Sequence, residues 1–171
     1  MAIVRQALGS KEKYEMNDHT LEETIGEYFI KKNFKENNIE KYIQKYGDYF
    51  AWGGAGNSFW EKLKIGDIVF FGRGSRILFI GKIGEVPEKP DKELAKFLWG
   101  EDTWSHIYFL DSVINLKNVP IPVTTFNTVA EYNKAAFFRG LSIVKGITDD
   151  RKFLLKFILE SAEYLERGVE Q

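Results

Sequence analysis

The sequence predicts an α+β fold in which a small, curved β-sheet or barrel is surrounded by helices. Several short β-prone runs, each about as long as one strand, are separated by glycine-rich or proline-rich turns. Segments with apolar residues at helical spacing lie between these runs and after the last of them. The 171 residues are 44% hydrophobic and 29% charged, which suits one domain with a substantial core and a charged surface.

The first predicted elements are a strand, a helix and a loop. Residues 28–30 (Tyr-Phe-Ile) form a β-prone run that ends at a polar segment, which predicts a strand followed by a turn. Apolar residues at helical spacing predict a helix over residues 36–46, and Gly47 ends it. Residues 52–56 (Trp-Gly-Gly-Ala-Gly) are too rich in glycine for a regular element and predict a loop.

A β-hairpin and a final helix complete the predicted fold. Asn57 or Ser58 caps a short helix, and strands over residues 68–71 and 76–83 flank a turn at 72–74. The remaining predicted elements are a helix over 91–98, a strand over 107–114, an extended link at 120–122, a strand over 141–144 and a helix over about 149–167. We therefore expect one domain over residues 1–171, with its core over about 28–145.

The composition excludes several kinds of site. The chain has no cysteine, which rules out disulfides, thiolate metal sites and cysteine nucleophiles. His19 and His106 are far apart in the sequence, so we expect no metal and no other cofactor. No apolar run approaches the ~20 residues of a membrane span, and the N-terminus lacks the pattern of a signal peptide. We expect a cytoplasmic protein with no membrane partner, and its abundant Lys and Glu lean towards a heat-adapted composition.

The charged residues are unevenly distributed, although the formal net charge is only −1. Residues 28–46 carry five lysines against two glutamates, and residues 62–82 carry five basic residues against one aspartate. Residues 11–27 and 149–171 are acidic overall. A basic middle part between acidic ends is expected if one face binds phosphates, and it is equally expected if solvated faces happen to cluster.

Motifs for catalysis are absent from the sequence. It has neither a phosphate-binding loop with a Lys-Ser/Thr pair nor a nucleophile elbow. The adjacent acids Glu101 and Asp102 fall where a helix cap or a turn is expected, as do residues 149–150. We expect a binding protein rather than an enzyme. The alternative is a nuclease or an RNA-processing enzyme that uses Asp67, Glu101 or Asp102.

Three of the four tryptophans lie in or beside predicted loops and are candidates for the walls of a pocket. They are Trp52, Trp99 and Trp104. A glycine beside such a ring, as Gly53 is beside Trp52, lets the backbone approach a ligand closely. The alternative is that each ring closes an end of the core, which we expect of Trp60 on the predicted short helix.

Polar residues around the turn after residues 28–30 are candidates for contacts with a nucleic acid. Asn33 and Asn37 each offer a donor and an acceptor, which suits the edge of a purine, and helix capping is their ordinary alternative. Lys31, Lys32 and Lys35 flank them and either bind phosphates or are simply solvated.

Two arginines lie on the predicted hairpin. Arg73 and Arg76 either contact the nucleic-acid backbone or are surface arginines without a ligand.

Residues 29–33 (Phe-Ile-Lys-Lys-Asn), Asn37 and Trp52 resemble the start of a YTH domain, a family that reads N6-methyladenine. In that family a strand ends in an Ile-Lys-Ser-Asn-type turn, a second asparagine follows four residues later, and a cage tryptophan comes after the next helix. Residues 59–86 are similar to EVE and other PUA-like domains, which have a Lys-x-Gly-Asp turn followed by a hairpin. The resemblance covers about residues 28–145 and implies a PUA/YTH-like fold.

Together these segments resemble the N-terminal DNA-recognition domain of archaeal McrB-type proteins, the GTPase subunits of modification-dependent restriction systems. No GTPase motif is present, so the resemblance implies a specificity domain that flips N6-methyladenine out of a DNA duplex into an aromatic cage. It also implies a parent GTPase domain and a separate nuclease subunit as partners. Readers of 5-methylcytosine DNA or of modified RNA on the same fold are the alternatives.

The resemblance assigns roles to individual residues. Asn33 and Asn37 match the asparagines that hydrogen-bond the ring nitrogens of the adenine. Trp52 matches the first wall of the cage, and Gly53 stands where a main-chain carbonyl accepts from the methylated amine. Either Trp99 or Trp104 is then the second wall.

Overall fold

The computed structural model describes residues 1–134 and 136–169, and all of their side chains except those of 168 and 169. The strands are β1 (Ile3–Ala7), β2 (Phe50–Gly54), β3 (Ile68–Arg73), β4 (Arg76–Glu85), β5 (His106–Asn115), β6 (Ile121–Pro122) and β7 (Leu141–Ile143). The helices are α1 (Lys11–Tyr14), α2 (His19–Glu22), α3 (Ile25–Lys32), α4 (Asn37–Tyr46), α5 (Lys92–Trp99), α6 (Val123–Val129) and α7 (Asp150–Val169). Short 3-10 turns cover Glu15–Asp18 and Trp60–Lys62.

The strands form one sheet in the order β2-β5-β4-β3-β1-β7, and β6 adds to β4. Strands β1 and β3 are parallel, and the other neighbours in the sheet are antiparallel. Irregularities in the β3–β4 and β4–β5 registers strengthen the local twist. The sheet curls into a half-barrel that helices surround, so the predicted α+β fold with a small curved sheet is confirmed.

Alternating side chains along the strands supply both the inside of the half-barrel and its helix-covered outside. Trp52, Phe71 and Tyr108 belong to the inner cluster, to which α2 contributes Leu21. On the outside, Phe109 packs with α3, α4 and α5. Phe70 packs with α6 and α7 in a separate cluster.

Residues 28–30 lie in α3, so the prediction of a strand there is wrong. Thr24 accepts from the backbone N–H of Glu27, and the Glu27 carboxylate accepts from the N–H of Thr24, which fixes the start of the helix. Phe29 is buried on the inward face of the helix. Asn33, with φ of 52°, ends it in the left-handed conformation. Capping at both ends and burial of one face therefore override the β-prone run.

The glycine-rich segment begins as a strand rather than as a loop. Trp52, Gly53 and Gly54 are the last residues of β2, which pairs with β5 so that Trp52 lies opposite Tyr108. The loop prediction is wrong for these three residues and right only beyond them. Glycine weakens a strand but permits close approach of another group, and at Gly53 that group is the ring of Trp99.

Most of the other predicted elements are present. The helix over 36–46 corresponds to α4, and the predicted hairpin corresponds to β3 and β4, although its tight turn lies at residues 74–75. Asp91 caps α5 by accepting from the N–H of Leu94. The predicted strands over 107–114 and 141–144 and the final helix match β5, β7 and α7.

The sequence patterns miss β1, α1, α2, β6 and α6. Helix α6 (Val-Thr-Thr-Phe-Asn-Thr-Val) is rich in β-branched residues, which have low helix propensity, and burial of Phe126 stabilises it instead. Within the described residues, no helix combines the length and the apolar content needed to cross a membrane.

Candidate functional site

A cavity of about 360 Å³ opens at one end of the inner side of the sheet. It lies where β1 and β2 end and where β5 and β7 begin, and the end of α5 and the loop after β2 complete its walls. Its volume falls within the range of small-ligand sites, roughly 300–1,000 Å³. Seven of its lining residues carry rings: Tyr14, Trp52, Trp60, Trp99, Trp104, His106 and Tyr108.

The sheet supplies the inner wall of the cavity. Trp52 is only 6% exposed and meets the ring of Phe71 edge to face, with 5.9 Å between the ring centroids. Tyr108, opposite Trp52 in the strand pair, donates its hydroxyl hydrogen to Oε1 of Gln6 at 3.0 Å. Burial raises the pKa of Tyr108 well above its ordinary value, so the phenol stays neutral. This wall is therefore aromatic, uncharged and continuous with the core.

The end of α5 and the segment after it supply the outer wall. The six-membered ring of Trp99 lies close to the backbone of Gly53, since a Cβ at that position would be 2.7 Å from Cζ3 of Trp99. The same Cβ would also collide with the main-chain carbonyl of Trp104. The Trp104 indole is half-buried, donates from Nε1 to Glu101 at 2.9 Å and meets the edge of Tyr14. Glycine at position 53 is thus required by close packing.

His106 occupies a corner of the cavity between the glycine loop and Trp60. Its ring meets Trp60 edge to face at 5.0 Å, and atoms of the ring would lie within 2.7 Å of a Cβ on Gly56. The loop is held by Asn57, whose Oδ1 accepts from the N–H of Phe59 and whose Nδ2 donates to the carbonyl of Leu141.

Two buried ring nitrogens at the cavity have no hydrogen-bond partner within the described residues. They are Nε1 of Trp99 and Nδ1 of His106. Buried polar atoms are ordinarily paired, because an unpaired one costs about 1–3 kcal/mol. An indole N–H can only donate, whereas an imidazole nitrogen can donate or accept.

Among the described residues that line the cavity there is no Asp, Glu, Lys or Arg. The cavity is therefore suited to stack a flat, uncharged ring against aromatic surfaces. The residues of the nuclease alternative lie elsewhere. Asp67 accepts from the backbone N–H groups of Ala2 and Lys64, and Glu101 accepts from Trp104. Residues 1–134 and 136–169 include no cluster of three or more potential metal ligands.

The structure brings four of the predicted pocket residues to the cavity: Trp52, Gly53, Trp99 and Trp104. It does not bring the two asparagines there. Asn33 is the C-cap of α3, and Asn37 is the exposed first residue of α4. Both lie at the junction of α3 and α4, and neither is among the residues that line the cavity.

The predicted backbone-binding residues are divided between free and paired side chains. Lys32, Lys35 and Arg76 are exposed, whereas Lys31 pairs with Glu23 at 3.4 Å. Arg73 is only 10% exposed and binds the Asp18 carboxylate through both terminal nitrogens at 2.8 Å. Arg73 is therefore held within the fold rather than presented at the surface.

Several cavity residues are absent from the sequence predictions. Gln6 lies on β1, an unpredicted strand, and Tyr14 lies on α1, an unpredicted helix. Tyr108 is inside a predicted strand, where alternation marks it only as one more core residue. His106, one of two histidines, immediately precedes that predicted strand and follows Trp104 by two residues, which is the one local signal that associates it with the site.

Comparisons with known proteins identify the fold. No protein-family profile and no curated protein matches the sequence. A solved structure of the N-terminal domain of Thermococcus gammatolerans McrB bound to m5C DNA is similar over 98% of both chains, with a TM-score of 0.58 and 14% sequence identity. The half-barrel with surrounding helices thus defines a PUA-like domain. The solved domain to which it is similar is that of an McrB protein.

Proposed function

We propose that this chain binds DNA that carries a methylated base, and that the cavity receives the base after it has flipped out of the duplex. One observation carries the proposal: an uncharged aromatic cavity with two unpaired ring nitrogens lies at the end of the sheet. The McrB domain with the same fold was solved with methylated DNA, which supports this class of ligand.

The energies of flipping and binding are of comparable size. Extruding a base from a duplex costs a few kcal/mol. Stacking on aromatic side chains returns about 1–3 kcal/mol per base, and burial of one methyl group adds roughly 0.8 kcal/mol. The methyl group alone therefore yields a several-fold preference, and a stronger preference requires the cavity to read the polar edge of the base as well.

The free nitrogens of Trp99 and His106 are the proposed readers of that edge. The indole N–H of Trp99 donates to a ring nitrogen or carbonyl of the base, and His106 pairs with a neighbouring polar atom. Gly53 contributes its backbone next to Trp99. Pairing with the base would remove the cost of leaving these nitrogens unpaired, so the same atoms give both affinity and specificity.

Two methylated bases are candidates. The resemblance to YTH domains favours N6-methyladenine held in an aromatic cage of Trp52 and either Trp99 or Trp104. Asn33 and Asn37 are not among the lining residues of the cavity, so contacts with adenine are proposed for other residues of the lining. The second candidate is 5-methylcytosine, which the DNA bound to the similar McrB domain favours. Both bases present ring acceptors to an indole donor.

The exposed basic residues Lys32, Lys35 and Arg76 are proposed to contact the DNA backbone. The chain itself would act as a non-catalytic specificity domain in the cytoplasm. GTP hydrolysis and DNA cleavage would belong to a parent GTPase domain and to a separate nuclease subunit, as the resemblance of the sequence to McrB-type proteins implies.

Fluorescence-anisotropy titrations with matched duplexes test the proposal. Duplexes containing N6-methyladenine, 5-methylcytosine or no modification are compared with methylated RNA of the same sequence. We expect tightest binding to one of the methylated DNA duplexes, and the better of the two identifies the base. Equal affinity for methylated and unmethylated duplexes would exclude a methyl-base reader, and tightest binding to RNA would reassign the ligand.

A pair of aromatic variants locates the site. Trp104→Ala removes a half-buried wall of the cavity, and Phe137→Ala removes an exposed aromatic ring that does not line it. We expect Trp104→Ala to reduce the affinity for methylated DNA about tenfold, since one stacking wall contributes about 1–3 kcal/mol, and Phe137→Ala to leave the affinity unchanged. Incubation with Mg²⁺ and modified DNA should give no cleavage, whereas a product would favour the nuclease alternative.

A further inference from the structure

Helix α7 has two apolar faces, and the fold covers only one of them. Phe153 and Phe157 pack into the cluster that includes Phe70 and Phe126. A second row of apolar residues points away from that cluster. Its members are Leu155 (58% exposed), Ile158 (60%), Ala162 (exposed) and Leu165 (40%).

The spacing of the second row is that of a coiled-coil seam. Its members are three, four and three residues apart, which is the a/d pattern of two heptads. At 100° per residue they cover one narrow side of α7, roughly a third of a turn away from Phe153 and Phe157. Large side chains that are more than half exposed in such a row indicate an interaction surface rather than isolated exposed residues.

The charges on α7 are divided between its two halves. Lys152 and Lys156 lie in the first half, and Glu160 and Glu166 lie in the second. None of these four side chains forms an ion pair or a side-chain hydrogen bond within residues 1–134 and 136–169. A helix with a basic first half and an acidic second half is complementary to a copy of itself only when the two copies are antiparallel.

We propose that this face of α7 is an interface with a second copy of the chain, in which the two helices pair antiparallel about a two-fold axis. In a two-fold dimer every contact between two different residues occurs twice, because each copy supplies both of them. Leu155 then packs near Leu165 of the second copy, and Ile158 packs near Ala162 of the second copy. Lys152 reaches Glu166 of the second copy, so both unpaired charges gain a partner.

The expected dimer is weak. Twenty residues make a helix about 30 Å long, and one helix pair buries less surface than a standard stable interface. The apolar row supplies the affinity, whereas exposed ion pairs contribute mainly to orientation and specificity. This inference is independent of the proposed DNA binding.

Sedimentation equilibrium of the 171-residue chain over a concentration series tests the association. We expect a reversible monomer–dimer equilibrium that Ile158→Gln weakens by at least about tenfold. Ile30→Gln is the matched control, because Ile30 is a helical isoleucine that is 73% exposed on α3, and it should leave the equilibrium unchanged. A monomer at every concentration would overturn the proposal, as would a dimer that Ile158→Gln does not affect.

Charge exchange and cross-linking test the antiparallel orientation. Lys152→Glu and Glu166→Lys should each weaken the dimer, and the double variant should restore it. Because the chain has no cysteine, a single Leu159→Cys near the axis should form an intermolecular disulfide on oxidation. Leu155→Cys should not, since antiparallel pairing places its copies about 15 Å apart. A disulfide at position 155 without one at 159 would indicate parallel helices and overturn the proposal.

Discussion

Two buried polar regions lie close together in this fold and differ in how their atoms are paired. Around Asp18, which is 1% exposed, Arg73 and Lys117 satisfy the carboxylate completely. At the cavity, Trp99 and His106 each leave a ring nitrogen unpaired. A fully paired buried network stabilises one conformation, whereas a buried polar atom without a partner is a candidate for contact with a ligand.

The paired region also positions part of the cavity. Asp18 ends the 3-10 turn that follows Tyr14 and contains Asn17, and both of these residues line the cavity. Burial opposes the charge on Lys117, but its contacts with Glu22 and Asp18 outweigh that effect and raise its pKa. The ion pairs therefore fix the segment that carries Tyr14 to the outer wall.

The largest expected effect is loss of the Asp18–Arg73 pair. Arg73→Ala should lower the free energy of unfolding by about 3–5 kcal/mol, because it removes one partner of a buried carboxylate. Arg76→Ala, on the same hairpin but exposed, should change it by less than about 0.5 kcal/mol. Urea unfolding measures both variants. Similar small losses for the two arginines would mean that Lys117 alone satisfies Asp18.

The next effect separates the two walls of the cavity. Trp52→Ala should cost about 3 kcal/mol of stability, because the indole is 6% exposed and belongs to the inner cluster. Trp104→Ala should cost only about 1 kcal/mol, since that indole is half-buried, while both variants weaken binding of methylated DNA. Thermal unfolding measures the loss of stability in each variant, and anisotropy titration measures the loss of DNA binding. A Trp104→Ala protein as unstable as Trp52→Ala would place both rings in the core.

The sequence predicts those residues of the cavity that their immediate neighbours in the sequence make conspicuous. It does not predict residues whose place at the cavity depends on contacts with distant parts of the chain. Trp52, Trp99 and Trp104 are recognised because indoles beside glycines or loop residues are conspicuous in the sequence. Gln6 is missed because β1 is defined by its pairing with β3 and β7, which are far away in the sequence. Tyr14 is missed because α1 has only four residues and buries none of them, so no apolar periodicity marks the helix.

Asn33 and Asn37 illustrate the opposite error. Their spacing matches a known motif, but a motif carries its function only if the preceding segment has the expected structure. Here the capping residues Thr24 and Glu27 make that segment a helix, and the spacing no longer brings the asparagines to the cavity.

A smaller effect, on binding rather than on stability, is expected at His106. His106→Phe keeps a ring of similar shape but removes the unpaired Nδ1, so the free protein should be as stable as before or slightly more stable. Affinity for the preferred methylated duplex should fall by about 1–2 kcal/mol, because one polar contact with the base is lost. His19→Phe, at the other histidine, should leave affinity unchanged. A loss of stability without a loss of affinity would contradict the reading role of His106.

The smallest effect concerns His19, which has an unpaired Nδ1 but lies outside the cavity lining. Its Nε2 lies 2.7 Å from the carbonyl of Leu98, so this nitrogen carries the hydrogen and donates it. Burial lowers the pKa of His19 below its ordinary value of 6.5, and the bond to Leu98 only partly opposes that shift. The folded state therefore resists protonation more than the unfolded state does.

Stability should consequently be unaffected by His19 above about pH 7.5 and should decline as the pH falls below about 6.5, where the unfolded chain takes up the proton first. His19→Gln, which cannot titrate, should show a flatter dependence between about pH 7.5 and 5.5 in urea unfolding. DNA affinity corrected for folding should follow the same pH course in both proteins. A different pH dependence of DNA affinity in His19→Gln would mean that an unpaired nitrogen outside the cavity also affects ligand binding. The unpaired nitrogens of Trp99 and His106 would then not be distinguished from that of His19 by their place at the cavity.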